Sequence, residues 1–260
     1  MWNIMKAQRH QIKGDNFIIY GFLAAIIMQV LPIFFDQMDM ESMNGGLFAV
    51  STFGMIPVSL VIVSLVLVAR ICGWDMDDKT INYELLSGHS RSQIYFGRVV
   101  MSLVYALVAG LMITVLPTFI VFIIKGWGNN AAFKEVFVRI AVMMCPYIRW
   151  ICELVLVAFI VKSSNATLVL GFLMCEAVVL AQTIFEDATG ILINVQFAMT
   201  NMIELSQITN SKMELVNGEL ISVFDASLKS SDITSSIVVS FVVAVLCVMA
   251  GYAIFKKRDM

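Results

Sequence analysis

The run QIYFGRVVMSLVYALVAGLMITVLPTFIVFII, Gln93 to Ile124, decides the fold class. It exceeds the ~20 apolar residues that cross a bilayer. It sits in a chain of 260 residues that is 60% hydrophobic and only 14% charged, with a mean hydropathy of +0.88. Soluble domains are about half apolar and a quarter charged, so a soluble fold is excluded. Working outward, five further apolar blocks occupy Asn16 to Phe35, Leu47 to Ala69, Val136 to Val161, Ala166 to Phe185 and Thr234 to Phe255. The expected fold is an all-α polytopic membrane protein with six transmembrane helices. The blocks at Gln93 and Val136 are long enough to tilt or to project beyond the bilayer. No alternation of the kind that builds closed β-structure interrupts them.

Six spans put both termini on one side, and the placement of Lys and Arg sets which side that is. Lys6, Arg9, Lys13, Arg70, Lys79, Arg91, Arg98, Lys162, Lys256, Lys257 and Arg258 fall with the termini. Only Lys125, Lys134, Lys212 and Lys229 fall opposite, while Arg139 and Arg149 lie inside the fourth span. The positive-inside bias therefore predicts cytoplasmic termini in a multi-pass protein of the cell membrane. The net charge of -2 gives no mandate for binding nucleic acid. Residues 1–15 read as an interfacial helix, with Trp2, Met5 and Ile12 against Lys6, Arg9 and Lys13. Met1 to Gly14 is too polar for a cleavable signal peptide. Residues 16–260 then form a single transmembrane domain.

The five cysteines, Cys72, Cys145, Cys152, Cys175 and Cys247, form no C-x-x-C pair and read as small buried hydrophobes. His10 and His89 lie in different segments, and no metal site is expected. The sequence has no H-E-x-x-H, no G-x-S-x-G and no paired intramembrane Asp, so no catalytic residues are assigned. Among the acids and bases that fall within spans, three form a candidate group. Arg149 and Glu153 stand at i, i+4 in the fourth span, and Glu176 lies at matching depth in the fifth, so the three can meet. Charges at that depth are functional candidates because they are expensive in lipid.

The connection between the second and third spans, Ala69 to Arg98, is the only one on the terminal side long enough to hold a structured element. Asp77 or Asp78 can cap a helix over Lys79 to Ser87, in which Ile81 and Leu85 stack at i, i+4. Gly88 follows where a left-handed C-terminal residue is wanted, and Ser90 with Gln93 has the capping-box spacing that starts the third span. One reading is an amphipathic loop helix sealing the bilayer face. The other is a protruding helix that docks into a partner protein and passes movement to the spans on either side.

The run DDKTINYELLSGHSR, Asp77 to Arg91, resembles the first cytoplasmic loop of ABC type-2 exporter permeases. In that family an acidic residue and a Thr precede a Leu-Leu-Ser turn and an Arg before the third span. The resemblance extends to the six-span layout, the interfacial N-terminal helix, and the external region between spans five and six. It departs at His89, where many members carry Pro. It implies that this loop is the coupling helix of a permease subunit, with Lys79, Thr80, Tyr83, Glu84, Leu85, Leu86 and Arg91 at the contact with a separate ATPase. It also implies a re-entrant turn and short helices between Glu186 and Asp232.

No G-x-x-x-x-G-K-[ST] loop is present, so the chain is not an enzyme in its own right. It would bind no cofactor itself, with ATP and Mg held by an ABC ATPase subunit dimer. A permease of this size needs a second copy or a sister permease to enclose a pathway in the lipid bilayer. The resemblance points to bacteriocin immunity, peptide export or drug efflux without choosing among them. The rivals are an ion-coupled secondary transporter using Glu153 and Glu176, and a non-transporting membrane immunity or scaffold protein.

Overall fold

The computed structural model describes residues 2–35, 43–78, 80–189, 197–208, 210–216 and 219–257. Helix α1 (Trp2–Lys13) is short and separate, and α2 (Asn16–Phe35) follows it. The second expected span is one helical rod built of unlike pieces. It comprises α3 (Gly45–Thr52), a 3₁₀ turn (Phe53–Met55), α4 (Ile56–Val68), a π turn (Ala69–Gly73) and α5 (Trp74–Asp77). Next come α6 (Thr80–Leu86), α7 (Arg91–Lys125), α8 (Phe133–Val161), α9 (Ser164–Thr189) and α10 (Ala198–Ser206). A hairpin of β1 (Ser211–Val216) and β2 (Glu219–Phe224) precedes the last helix, α11 (Ser230–Lys257).

Among the described residues four helices are long and apolar enough to cross a membrane: Gly45–Asp77, Arg91–Lys125, Phe133–Val161 and Ser230–Lys257. Two shorter apolar segments, Asn16–Gln29 and Ser164–Val178, fall in the blocks expected to be the first and fifth spans. The apolar windows of Gly45–Asp77 and Phe133–Val161 are 72% and 61% buried, against 22% and 17% for Arg91–Lys125 and Ser230–Lys257. The rod and α8 are therefore the core, and the other two helices turn most of their apolar surface outward, as lipid-facing helices do. Small residues allow the closest approaches. A Cβ at Gly73 would stand 2.6 Å from the Cα of Ser164, so the end of the rod can lie directly on the start of α9.

Local signals behave as the sequence predicts at the start of α7. Ser90 Oγ accepts from the Gln93 N–H at 3.3 Å, and the Gln93 side chain accepts from the Ser90 N–H at 3.3 Å. Gly88 adopts φ +90, which an L side chain disfavours. The expected helix over Lys79 to Ser87 is α6, which ends one residue earlier, at Leu86. Its expected cap is different. Asp77 Oδ2 accepts from the N–H of Ser164 at 2.7 Å and thus caps α9, while Asp78 accepts from the Trp74 indole.

The region between α9 and α11 contains the hairpin as well as a short helix, so the all-helical expectation fails there. Val216 pairs with Glu219 across the hairpin, which leaves Asn217-Gly218 between the strands in sequence. That dipeptide favours two-residue hairpin turns. Residues 190–196, part of the Glu186 to Asp232 stretch expected to hold the re-entrant turn, lie outside the described residues.

Candidate functional site

Helix α6 is held against the bundle by one guanidinium. Arg98, two turns into α7, is fully buried and donates through Nη2 to Asp75 Oδ2 at 2.8 Å and through Nε to the same oxygen at 3.2 Å. Its Nη1 donates to Glu84 Oε2 at 2.8 Å. Asp75 comes from the end of the rod, Arg98 from α7 and Glu84 from α6. Three elements thus meet at one planar cation, whose fork geometry suits two carboxylates at once. Thr80 Oγ1 adds a bond to the carbonyl of Asp75 at 3.0 Å, and Ile81 is buried beneath the helix.

With Glu84 turned inward and Leu85 half-buried against the core, the outward face of α6 is carried by other side chains. Tyr83 is 72% exposed and Leu86 83% exposed. Large apolar side chains on a short, locked helix outside an apolar span form a presentation surface. Arg91 lies at the base of α7, where it donates to the carbonyl of Lys256 at 3.2 Å. Lys79 lies outside the described residues.

The neighbouring π turn directs Arg70 away from this cluster. Its guanidinium stacks 4.0 Å from the Trp74 ring centroid and 4.5 Å from that of Phe17, and Nε lies 3.3 Å from Asp15 Oδ2. The beginning of α2 is thereby tied to the same end of the rod that carries Asp75.

Of the three charges expected within spans, two come together. Arg149 Nε donates to Glu153 Oε1 at 2.7 Å, both on α8. Glu176 is exposed and forms no ion pair with a described residue. Depth in the helical hairpin is not enough to make contact. The face that α9 turns inward runs through Ser164, Thr167, Gly171 and Cys175, and Glu176 is one residue, about 100° of helix, beyond it.

The end of the bundle opposite α6 is assembled around Arg139. Its Nε donates to the carbonyl of Ala226 at 3.0 Å, Nη1 to those of Leu205 and Gln207 at 3.1 and 2.6 Å, and Nη2 to that of Ser227 at 3.1 Å. The sequence reading left Arg139 as a charge within the fourth span, without a partner. Beside it is a cavity of about 620 Å³ between α10 and the start of α11, lined by Asn201, Glu204, Lys229, Asp232 and Ser236. Nearby, the carboxamide of Asn44 caps α3 and also donates to Asn130 Oδ1 at 2.7 Å. Asn130 in turn donates to the carbonyl of Ser222 at 3.0 Å. The loop between α7 and α8 thus holds the hairpin.

Among the described residues no group of His, Cys, Asp and Glu could hold a metal ion. Compared with models of known protein families and with curated protein sequences, the chain matches none significantly.

Proposed function

We propose that the chain is the transmembrane permease subunit of an ATP-driven exporter, with α6 as the element that docks into a separate ATPase. The reading is carried by one observation: α6 presents Tyr83 and Leu86 outward while Arg98 fixes it to the rod and to α7 at once. A push on α6 would reach two spans through charge-assisted bonds without passing through a flexible linker. In this reading α2 and α9 complete a set of six spans, both termini are cytoplasmic, and the cell membrane holds the protein. ATP and Mg belong to the partner dimer, and a second copy or sister permease completes the pathway. The resemblance of Asp77 to Arg91 supports an amphipathic or hydrophobic cargo such as a peptide, a bacteriocin or a drug.

The test is Tyr83→Ala with Leu86→Asp in the full chain, together with the candidate ATPase. Interface anchors of this kind contribute about 2 kcal/mol or more each, so the double variant should bind the ATPase on the order of 1,000-fold more weakly and lose ATP-dependent transport. Its elution as a single species should be unchanged, because neither side chain is packed. Full ATPase capture and transport by the variant would refute the assignment. The partly buried Arg149–Glu153 pair favours one other reading, an ion-coupled transporter. Transport that persists without ATP and follows an ion gradient would establish that reading instead.

Sidedness has its own test. Ser87, Ser211 and Ser230 are all exposed, so a cysteine at each differs in side and little in accessibility. In a background lacking the native cysteines, an impermeant maleimide added to intact cells should label Ser211→Cys and Ser230→Cys, and leave Ser87→Cys unlabelled. Labelling of Ser87→Cys alone would invert the topology.

A further inference from the structure

Helix α1 does not close fully onto α7. Between them lies a cleft of about 420 Å³, lined by Met5, Lys6 and Arg9 from α1 and by Met101, Val104, Tyr105 and Val108 from α7. Its volume is that of a small-ligand site. Its floor is apolar, and both of its charges are positive. Lys6 and Arg9 stand at i, i+3 on one face of α1, are exposed, and form no ion pair with a described residue. Asp15, the acid nearest in sequence, is engaged by Arg70.

The position of the cleft along α7 identifies what faces it. The exposed large apolar residues of α7 begin at Val104 and continue through Val108, Leu111 and Leu116 to Ile124. From Val104 to Ile124 the rise is about 30 Å, the thickness of a hydrocarbon core. Val104 therefore stands at the hydrocarbon edge, with Val108 one turn deeper, and α1 crosses α7 at that edge. Lys6 and Arg9 then sit at headgroup level, where basic side chains attract anionic lipid. A zwitterionic headgroup would bring its own ammonium beside two uncompensated cations.

We propose that this cleft holds one anionic phospholipid, its phosphate between Lys6 and Arg9 and an acyl chain along Val104 and Val108. The bound lipid would fasten α1 to α7 from outside, independently of any transport activity.

The test uses the full chain in nanodiscs of phosphatidylcholine with a minor share of phosphatidylglycerol, followed by native mass spectrometry of the lipid retained. Two basic side chains at a membrane surface should enrich phosphatidylglycerol over phosphatidylcholine about 30-fold. Lys6→Gln with Arg9→Gln should remove the enrichment. Val104→Trp keeps both charges but fills the cleft, and should also lose the retained lipid, with Val108→Trp as a second filling variant should the first elute as aggregate. The proposal is overturned if the parent shows no preference, or if the filled variants retain phosphatidylglycerol as the parent does. Displacement of the lipid by inorganic phosphate alone would likewise overturn it, since the site would then be one for phosphate and not for a lipid.

Discussion

Arg98→Met is expected to destabilise the protein by about 3–5 kcal/mol, the loss usual when one partner of a buried ion cluster is removed. The side chain of Arg98 is fully buried and that of Asp75 is 7% exposed, so little water can take the place of the guanidinium at that carboxylate. Glu84, at 23%, is better placed to swing out, and α6 would move with it. The compensating triple variant Asp75→Asn, Arg98→Met, Glu84→Gln removes every charge together and should recover most of the loss, because apolar or neutral replacements of a whole buried cluster are close to neutral. Thermal unfolding in detergent gives the comparison. A single variant as stable as the parent would mean that the cluster contributes nothing to the fold. In the proposed transporter the triple variant has a second use, since it should retain the fold but transmit less between α6 and the spans.

Arg139→Met should release the assembly at the other end of the molecule. Four backbone carbonyls accept from this one side chain, at about 1.5–3 kcal/mol for each hydrogen bond to a charged group. Water from the adjoining cavity can replace some of them, so the net loss is set at about 3 kcal/mol. The effect should be local, because the carbonyls belong to the end of α10 and the segment before α11 and not to the core of the rod and α8. An opening equilibrium shifted by about 3 kcal/mol is on the order of 100-fold, and limited proteolysis should cut between Gln207 and Lys229 faster by that factor. Arg139→Lys should recover only part of the protection, since an ammonium lacks the planar fork. Unchanged cleavage in Arg139→Met would show that other contacts hold this end closed.

These two arginines mark the boundary of what could be read from sequence. Ser90, Gln93 and Gly88 were legible because their partners lie within a few residues, and local spacing fixes the geometry. The apolar blocks were legible because bilayer thickness imposes their length. Arg98 was counted with the charges that set sidedness, and nothing local shows that Asp75 and Glu84 converge on it from two other elements. Arg139 is harder still, because its partners are carbonyls, which every residue has. For Glu176 the spacing along a helical hairpin is readable in sequence but the azimuth is not, since that depends on how α9 packs its Gly171 face. The β-hairpin was within reach: Asn217-Gly218 flanked by two short runs is a turn signal, obscured by reading the whole polar stretch through its resemblance to a helical region. At α6 the helix itself was legible, but which side chains point outward follows from the Arg98 cluster.

The π turn at Ala69–Gly73 has a consequence for insertions and deletions. A turn closed by i→i+5 bonds accommodates one residue more than the α-helical turn it replaces, and each residue winds the chain by about 100°. Removing a single residue within Ala69–Gly73 would let the rod run on as uninterrupted α-helix with the segment after it in nearly the same heading, whereas the same removal within α4, which has no residue to spare, would swing that segment by about 100°. A removal in α4 would take Asp75 from Arg98 and Asp77 from the start of α9, with every side chain chemically intact. The heading of α6 is thus stored as a residue count, much as the phase of a screw is stored in its number of threads. Along this turn the chain should tolerate the loss of one residue far better than α4 does.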